Sequence, residues 1–449
     1  FFVRGYTTTE DGGKSYDMLF TGLNVNNAWK DNSTWFGQYA GAFVQATLAG
    51  QTPENAHIIS RGVADTGRLL PGTPGFQSAF NKVIADPDVL TGSKLVDNSR
   101  IYHSDANYNF KDLIKFGEIQ VGGSYRQYQL DSHGRIYTDD SGPIYYNEYG
   151  VYTQLQKKFM DERLKFTGSV RYDKSKNFDG NFSPRVSLVY LGGEKKQHNF
   201  RASYQTGFRN PSTQDQYIGF NVGSAVLIGS APDNLLRYSE TRDVVNGTPA
   251  IGQVYAGGSS VVMTGVNAYQ NSYTKASVDQ FAAFAAANPG NTPGAAALLR
   301  VTNVNNVKPE EVQAIELGYR SQYKDINIDL NGYYNTYNNF IGNTVSVAPL
   351  YGTVSETFDF AQGAPTYVAN PAVQTLHALG NGNFRAYQLY TNTDLKIQSL
   401  GVGIGLSKRM FGYYDFGVSY NYAQFDFDQA KDPSFEAGFN TPKHRVKAS

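Results

Sequence analysis

Catalysis needs side chains that can ligate a metal, attack an electrophile or carry a proton, and this sequence offers few in a usable arrangement. It contains no cysteine, which excludes thiol catalysis, zinc ribbons, iron–sulfur sites and disulfide scaffolds. His57, His103, His133, His198, His377 and His444 show none of the paired spacing of a metal site. Asp86-Pro87-Asp88 and Asp139-Asp140 are acidic pairs that could meet calcium, but without the ligand spacing of an EF-hand loop they read as solvated turns. There is neither a Gly-rich phosphate loop ending in Lys-Ser/Thr nor a G-x-S-x-G elbow. The chain is therefore not expected to be an enzyme, and no cofactor or metal is expected. What remains is non-covalent chemistry. Trp29, Trp35 and Tyr39 fall in one long segment, where aromatic rings could stack on a sugar or on the apolar face of a ligand. The competing reading, favoured for Trp35 and Tyr39, is the packing of a small loop core. Arg171, Asp173, Arg201, Arg209, Glu316, Arg320 and Asp329 sit at alternate positions of extended runs, as a solute path or simply as a solvated wall with local ion pairs.

Those runs are the elements that must position everything else. From Leu164 to Asp173 every even residue is apolar or Gly and every odd one polar. Ile326 to Asn335 and Tyr414 to Ala423 alternate in the same way, and so does Phe200 to Arg209 apart from Thr206. Such a period of two puts one set of side chains on each face of a strand. Strands are expected near 1–9, 99–112, 117–130, 145–159, 164–176, 182–192, 198–209, 313–323, 326–342, 384–409 and 413–428, with another starting at 443–449. The phase of 384–409 changes between Ile397 and Leu400, which predicts a bulge near Gln398-Ser399. Connections alternate between long (10–98, 131–144, 177–181, 210–312, 343–383, 429–442) and tight. Within the long ones, helices are expected after a Ser33 cap, over Pro74–Ala85 and over Lys275–Ala287. The Gly-, Asn-, Ser- and Ala-rich 210–306 stretch reads as a long loop that can lie over the mouth of a barrel.

Runs of roughly 10–16 residues exceed the usual globular strand of about 5–6 and suit membrane-crossing strands. Lipid cannot satisfy unpaired backbone groups, so a sheet in a membrane must close on itself. Loops sorted by length onto two ends, polar residues on one face, apolar residues on the other, and tyrosines near strand ends (Tyr145, Tyr146, Tyr149, Tyr413, Tyr414) all fit an antiparallel transmembrane β-barrel. Lysine plus arginine and aspartate plus glutamate each number 39, so the formal net charge is zero, which argues against a nucleic-acid partner. No run approaches the roughly 20 apolar residues of a membrane helix.

Several stretches resemble the barrel part of TonB-dependent outer-membrane receptors, most like those of the Bacteroidetes type. They are Phe182 to Tyr190, Phe200 to Ser212 with its Gly-Phe-Arg-x-Pro exit, Val307 to Glu311 followed by Ile315 to Arg320, Asn331 to Ile341, and Phe439 to Arg445. The resemblance implies import of a scarce nutrient (siderophore, cobalamin, oligosaccharide or peptide) across the bacterial outer membrane. Extracellular loops would capture the ligand, and TonB would displace a plug. The lumen charges would then contact that plug or line the solute path. It also allows a surface lipoprotein partner over the mouth, with outer-membrane lipid around the wall. Against a family barrel of about 22 strands, residues 1–449 are expected to supply part of one, without the plug and the final strands. Two other readings compete: a passive porin or structural barrel subunit of a membrane complex, and a soluble glycan-binding β protein.

Overall fold

A computed structural model describes residues 1–12, 15–360, 370–432 and 441–449. Its frame is one twelve-stranded antiparallel sheet. In sheet order the strands are β1 (Phe2–Thr9), β2 (Arg100–Asn109), β3 (Glu118–Leu130), β4 (Ile144–Phe159), β5 (Leu164–Ser175), β6 (Asn181–Gly192), β7 (His198–Arg209), β13 (Glu310–Tyr323), β14 (Ile326–Asn338), β17 (Ile397–Met410), β18 (Tyr414–Asp426) and β19 (His444–Ala448). Each pairs with its neighbours in the list, so β1 and β19 form the two edges. A 13-residue strand such as β3 runs roughly 43 Å, enough to cross a bilayer and project beyond it.

Register makes the two faces continuous. Tyr190, Phe200, Tyr319, Leu330, Ile404, Tyr420 and Val446 pair successively across seven strands. A second row runs Val186, Tyr204, Ile315, Tyr334, Leu400. Apart from the half-buried Tyr319 and Tyr420, these large apolar side chains stand exposed, Leu317 beside them at 62%. An exposed apolar face of that extent calls for a nonpolar neighbour. Tight turns close the other end of the hairpins. In the three-residue connection from Met410 to Tyr414, Phe411 and Gly412 both have positive φ, 55° and 77°, left-handed backbone of the kind tight hairpin turns use.

The longer connections carry their own structure. Residues 10–98 form α1 (Met18–Trp29), α2 (Asn32–Leu48), α3 (Pro53–Ala64) and α4 (Pro74–Ala85). The expected bounds of α4 and of the later helix over Lys275–Ala287 are met. The cap of α2 is not Ser33 but Asp31, whose carboxylate accepts from Thr34 N at 2.9 Å while Ser33 donates to the same carboxylate. The 210–312 connection is no draped loop. It holds short strands β8 (Gly219–Asn221), β9 (Val226–Ile228), β10 (Ser239–Asp243), β11 (Ser260–Thr264) and β12 (Tyr273–Thr274), with short helices between them.

The expected strand over 326–342 ends at Asn338; after Asn339, at φ 54°, the chain starts β15 (Ile341–Pro349). The expected strand over 384–409 is likewise two, β16 (Phe384–Asn392) and β17, split by 393–396 rather than bulged. β15 and β16 join β12, β9 and β8 in a second, five-stranded sheet. The physical reason is burial. Tyr387 and Leu389 are fully enclosed against Val226, Ile228 and Ala348, so β16 belongs to a loop core and β17 resumes the wall. The hairpin thus extends one long connection of the wall rather than adding two strands to it; the expected alternation fails at 176–180, which is no longer than 193–197 and shorter than 110–117. A buried Arg385 ties this core together, donating to Glu240 at 3.1 Å, the Gly223 carbonyl at 2.8 Å and Asn221 at 2.7 Å.

Candidate functional site

Two surfaces can act on a solute: the polar face of the wall and the helical first connection. All seven charges singled out in the sequence lie on the same face of the sheet, because each sits an even number of residues from its neighbours in register. Arg171 donates from Nε to both Asp173 oxygens at 2.8 and 2.7 Å and reaches Ser124 at 3.1 Å. Asp329 takes Arg201 at 3.1 Å and Arg320 at 2.8 Å. Arg209 forks onto Glu310 with two bonds of 2.7 Å. Glu316 differs: it makes no ion pair among the described residues and borders a hollow of about 460 Å³ together with Arg185. Partly exposed pairs of this kind contribute little to stability; their effect is to keep the face wet and to set its local charge.

The same face carries charges that the sequence reading passed over. Arg4 donates to Asp105 at 2.8 Å, and Asp105 also meets His103 at 3.1 Å. Arg126 approaches Glu148 at 3.9 Å, and Asn210 donates to Glu148 at 2.8 Å. The alternation in 100–109 and 118–130 was the available signal. Tyr146 also turns to this side. It is buried, stacked on Tyr128 with centroids 4.4 Å apart and close to Tyr217, so it is no part of an interfacial girdle. Tyr145 and Tyr149 point the other way and are exposed.

The aromatic trio divides. Trp35 and Tyr39 stack on one another along α2 at 5.1 Å. The Trp35 indole donates to Asp65 at 2.9 Å, with Arg61 above its ring, and Tyr39 is hydrogen-bonded to His57. Bonds from Trp35 and Arg61 hold the Asp65 carboxyl below the usual carboxylate range. These are the contacts of a two-helix hairpin. Trp29 stands apart. Its indole donates to the Thr66 carbonyl at 3.2 Å, and its ring lines a hollow of about 330 Å³ bounded by α1, α4 and residues 68–71. Phe76, Phe80 and Arg68 share that hollow; no sequence signal linked them to Trp29, because the segments are distant in the chain.

The two acidic pairs differ: Asp86-Pro87-Asp88 is a solvated turn, as expected, and Asp139 is not solvated. Asp139 is buried and accepts from Ser132 Oγ at 2.7 Å and from the backbone N–H groups of Gly134 at 2.8 Å and His133 at 3.1 Å, as well as that of Ser132. Asp86 accepts from Asp88 N and Thr91 Oγ1, which hold its carboxyl low.

The family model described as TonB dependent receptor-like, beta-barrel matches residues 2–449. No curated protein matches the chain. Among solved structures, the siderophore receptor PirA of Pseudomonas aeruginosa aligns at 13% identity and a TM-score of 0.41, over 73% of this chain and 41% of its own. The FrpB iron transporter of Neisseria meningitidis (F3-3 variant) aligns at 12% identity and a TM-score of 0.39, over 78% and 38%. The chain thus spans about two fifths of the length of the structures it matches. Two of the stretches that carried the resemblance, Phe182 to Tyr190 and Phe200 to Arg209, are adjacent wall strands here; Phe439 and Asn440 of the last one lie outside the described residues. Proteins of this family are receptors of the outer membrane rather than enzymes. With a family match over nearly its whole length and a two-faced antiparallel sheet to go with it, the chain belongs to the TonB-dependent receptor β-barrel family.

Proposed function

We propose that residues 1–449 form a stretch of barrel wall and ligand-facing loops in an outer-membrane, TonB-driven importer of a scarce nutrient. The observation that carries this reading is the family match over residues 2–449 on a sheet whose apolar rows form one face and whose ion pairs form the other. In this reading the apolar face meets outer-membrane lipid. Arg171, Asp173, Arg201, Arg209, Glu316, Arg320 and Asp329 face the lumen. Most of them are neutralised by neighbours, so Glu316 and Arg185, which form no ion pair among the described residues, mark where the wall can hold a plug or guide a solute. The connections 10–98, 210–312 and 343–383 are extracellular, and their described residues are largely folded into helices and short strands, so the ligand meets a preformed surface. Trp29 is the candidate contact there, while Trp35 and Tyr39 brace the loop. The ligand is a small molecule, glycan or peptide, TonB acts through the plug region, and a surface lipoprotein can sit over the loops.

The test is uptake by cells carrying the intact gene, offered labelled ferric siderophores, cobalamin, oligosaccharides and peptides, with and without TonB. The expected result is accumulation of one class that vanishes both on gene deletion and on loss of TonB. Equal accumulation without TonB would support the passive porin instead, and recovery of the protein in the soluble fraction would support the glycan-binding reading.

A further inference from the structure

The hollow beside Trp29 has a chemistry of its own. Trp29, Val25, Phe76, Phe80 and Leu70 make its walls nonpolar, and no Asp or Glu lines it. Phe76 and Phe80 stack at 6.1 Å, giving a flat aromatic side. At Gly22, in the middle of α1, a Cβ would meet nothing within 4 Å, so the glycine leaves the hollow open. Arg68 is the one cation among the lining residues; it is exposed and makes no ion pair or side-chain hydrogen bond among the described residues, whereas Lys30, whose ammonium lies 4.9 Å from the centre of the Trp29 ring, is engaged by Gln38 and the Ala64 carbonyl. Asp65, the carboxylate that feels the charge of Arg68, is already engaged by Trp35 and Arg61. Small-ligand sites are mostly nonpolar concavities with a few placed polar groups, and a free guanidinium fork matches a carboxylate.

We infer that this hollow binds an amphiphilic organic acid, its aromatic or aliphatic body against Trp29, Phe76 and Phe80 and its carboxylate on Arg68. The inference rests on the first connection alone and not on transport, so binding without uptake, or uptake without this binding, separates it from the import reading.

The experiment is calorimetric titration of the purified full-length receptor in detergent with 4-phenylbutyrate and with its uncharged amide. The acid is expected to bind saturably, at least tenfold more tightly than the amide. Arg68→Gln, a change at an exposed side chain, is expected to remove that preference, weakening the acid tenfold or more and leaving the amide unchanged. Gly22→Leu, which raises helix propensity while filling the hollow, is expected to abolish both, with helix content checked by circular dichroism. Absence of saturable acid binding, an amide bound as tightly as the acid, or undiminished binding by either variant would overturn the assignment.

Discussion

The wall strands and the loop strands use the same residues for opposite purposes. In β17, Leu400, Val402, Ile404 and Leu406 stand out from the sheet, each more than two fifths exposed. In β16, a few residues earlier, Tyr387 and Leu389 are fully enclosed. Both segments alternate with a period of two, and both carry large apolar residues on one face. The difference lies in what covers the apolar face: a second layer of protein for β16, none among the described residues for β17. Alternation therefore reports that a strand has two faces and is silent on which medium touches each of them.

Substitutions can break that comparison, and the largest effect is expected in the loop core. Tyr387→Ala removes a buried ring that also donates to Glu240, and such truncations cost roughly 3–5 kcal/mol. Limited proteolysis should show rapid cleavage in 210–309 and 339–396 while the wall strands remain protected. Intact loops would mean that the second sheet is not a cooperative core. In the wall the sensitivity is to charge. Val170→Arg should cost roughly 2–4 kcal/mol at mid-bilayer, and Ser169→Arg, on the polar face, much less. Refolding into lipid vesicles under urea measures both, and equal penalties would contradict the facing.

The helical connection sharpens the contrast with smaller effects. Thr73 accepts from Phe76 N at the start of α4, so Thr73→Ala should cost about 1 kcal/mol of local stability, seen as faster amide exchange over α4. The α2 cap depends on pH. Hydrogen bonds from Ser33 and Thr34 hold the Asp31 carboxyl below its ordinary value. A carboxylate lowered in the folded state stabilises above its unfolded pKa of about 3.9 and loses that contribution as the pH falls toward the lower folded value. Amide exchange at the start of α2 should therefore quicken only below about pH 4, and Asp31→Ala should remove that step while Ser33→Ala merely shifts it.

Much of the wall was legible because long strands repeat their pattern often enough to be read. Leu164 to Asp173 alternates without a break, and β5 spans Leu164–Ser175. Helices bounded by chemistry were legible too. Pro74 at the first turn of α4 and the Asn288-Pro289-Gly290 stop after Ala287 mark their ends. The split at 393–396 was not. Two runs of opposite phase separated by four residues look like one bulged strand when only the pattern is visible. The loop core was hidden for another reason: β8 and β9 are three residues each, too short for any period, and β9 joins the rest of its sheet through β16, more than a hundred residues away. The hollow beside Trp29 was half legible. An indole in a loop attracts notice, but Arg68 and Phe76 join it only through the packing of α1 against α4.

The central claim is that the wall has one lipid face and one wet face. Because residues 1–449 contain no cysteine, single cysteines can be placed from Ala314 to Arg320 along β13 in the full-length receptor, after replacement of any cysteine elsewhere. Spin labels there, in lipid bilayers, report oxygen against water-soluble nickel accessibility. The account predicts strict alternation, with positions 315, 317 and 319 open to oxygen and 314, 316, 318 and 320 open to nickel. Uniform nickel accessibility along the strand, or no period of two, would contradict it.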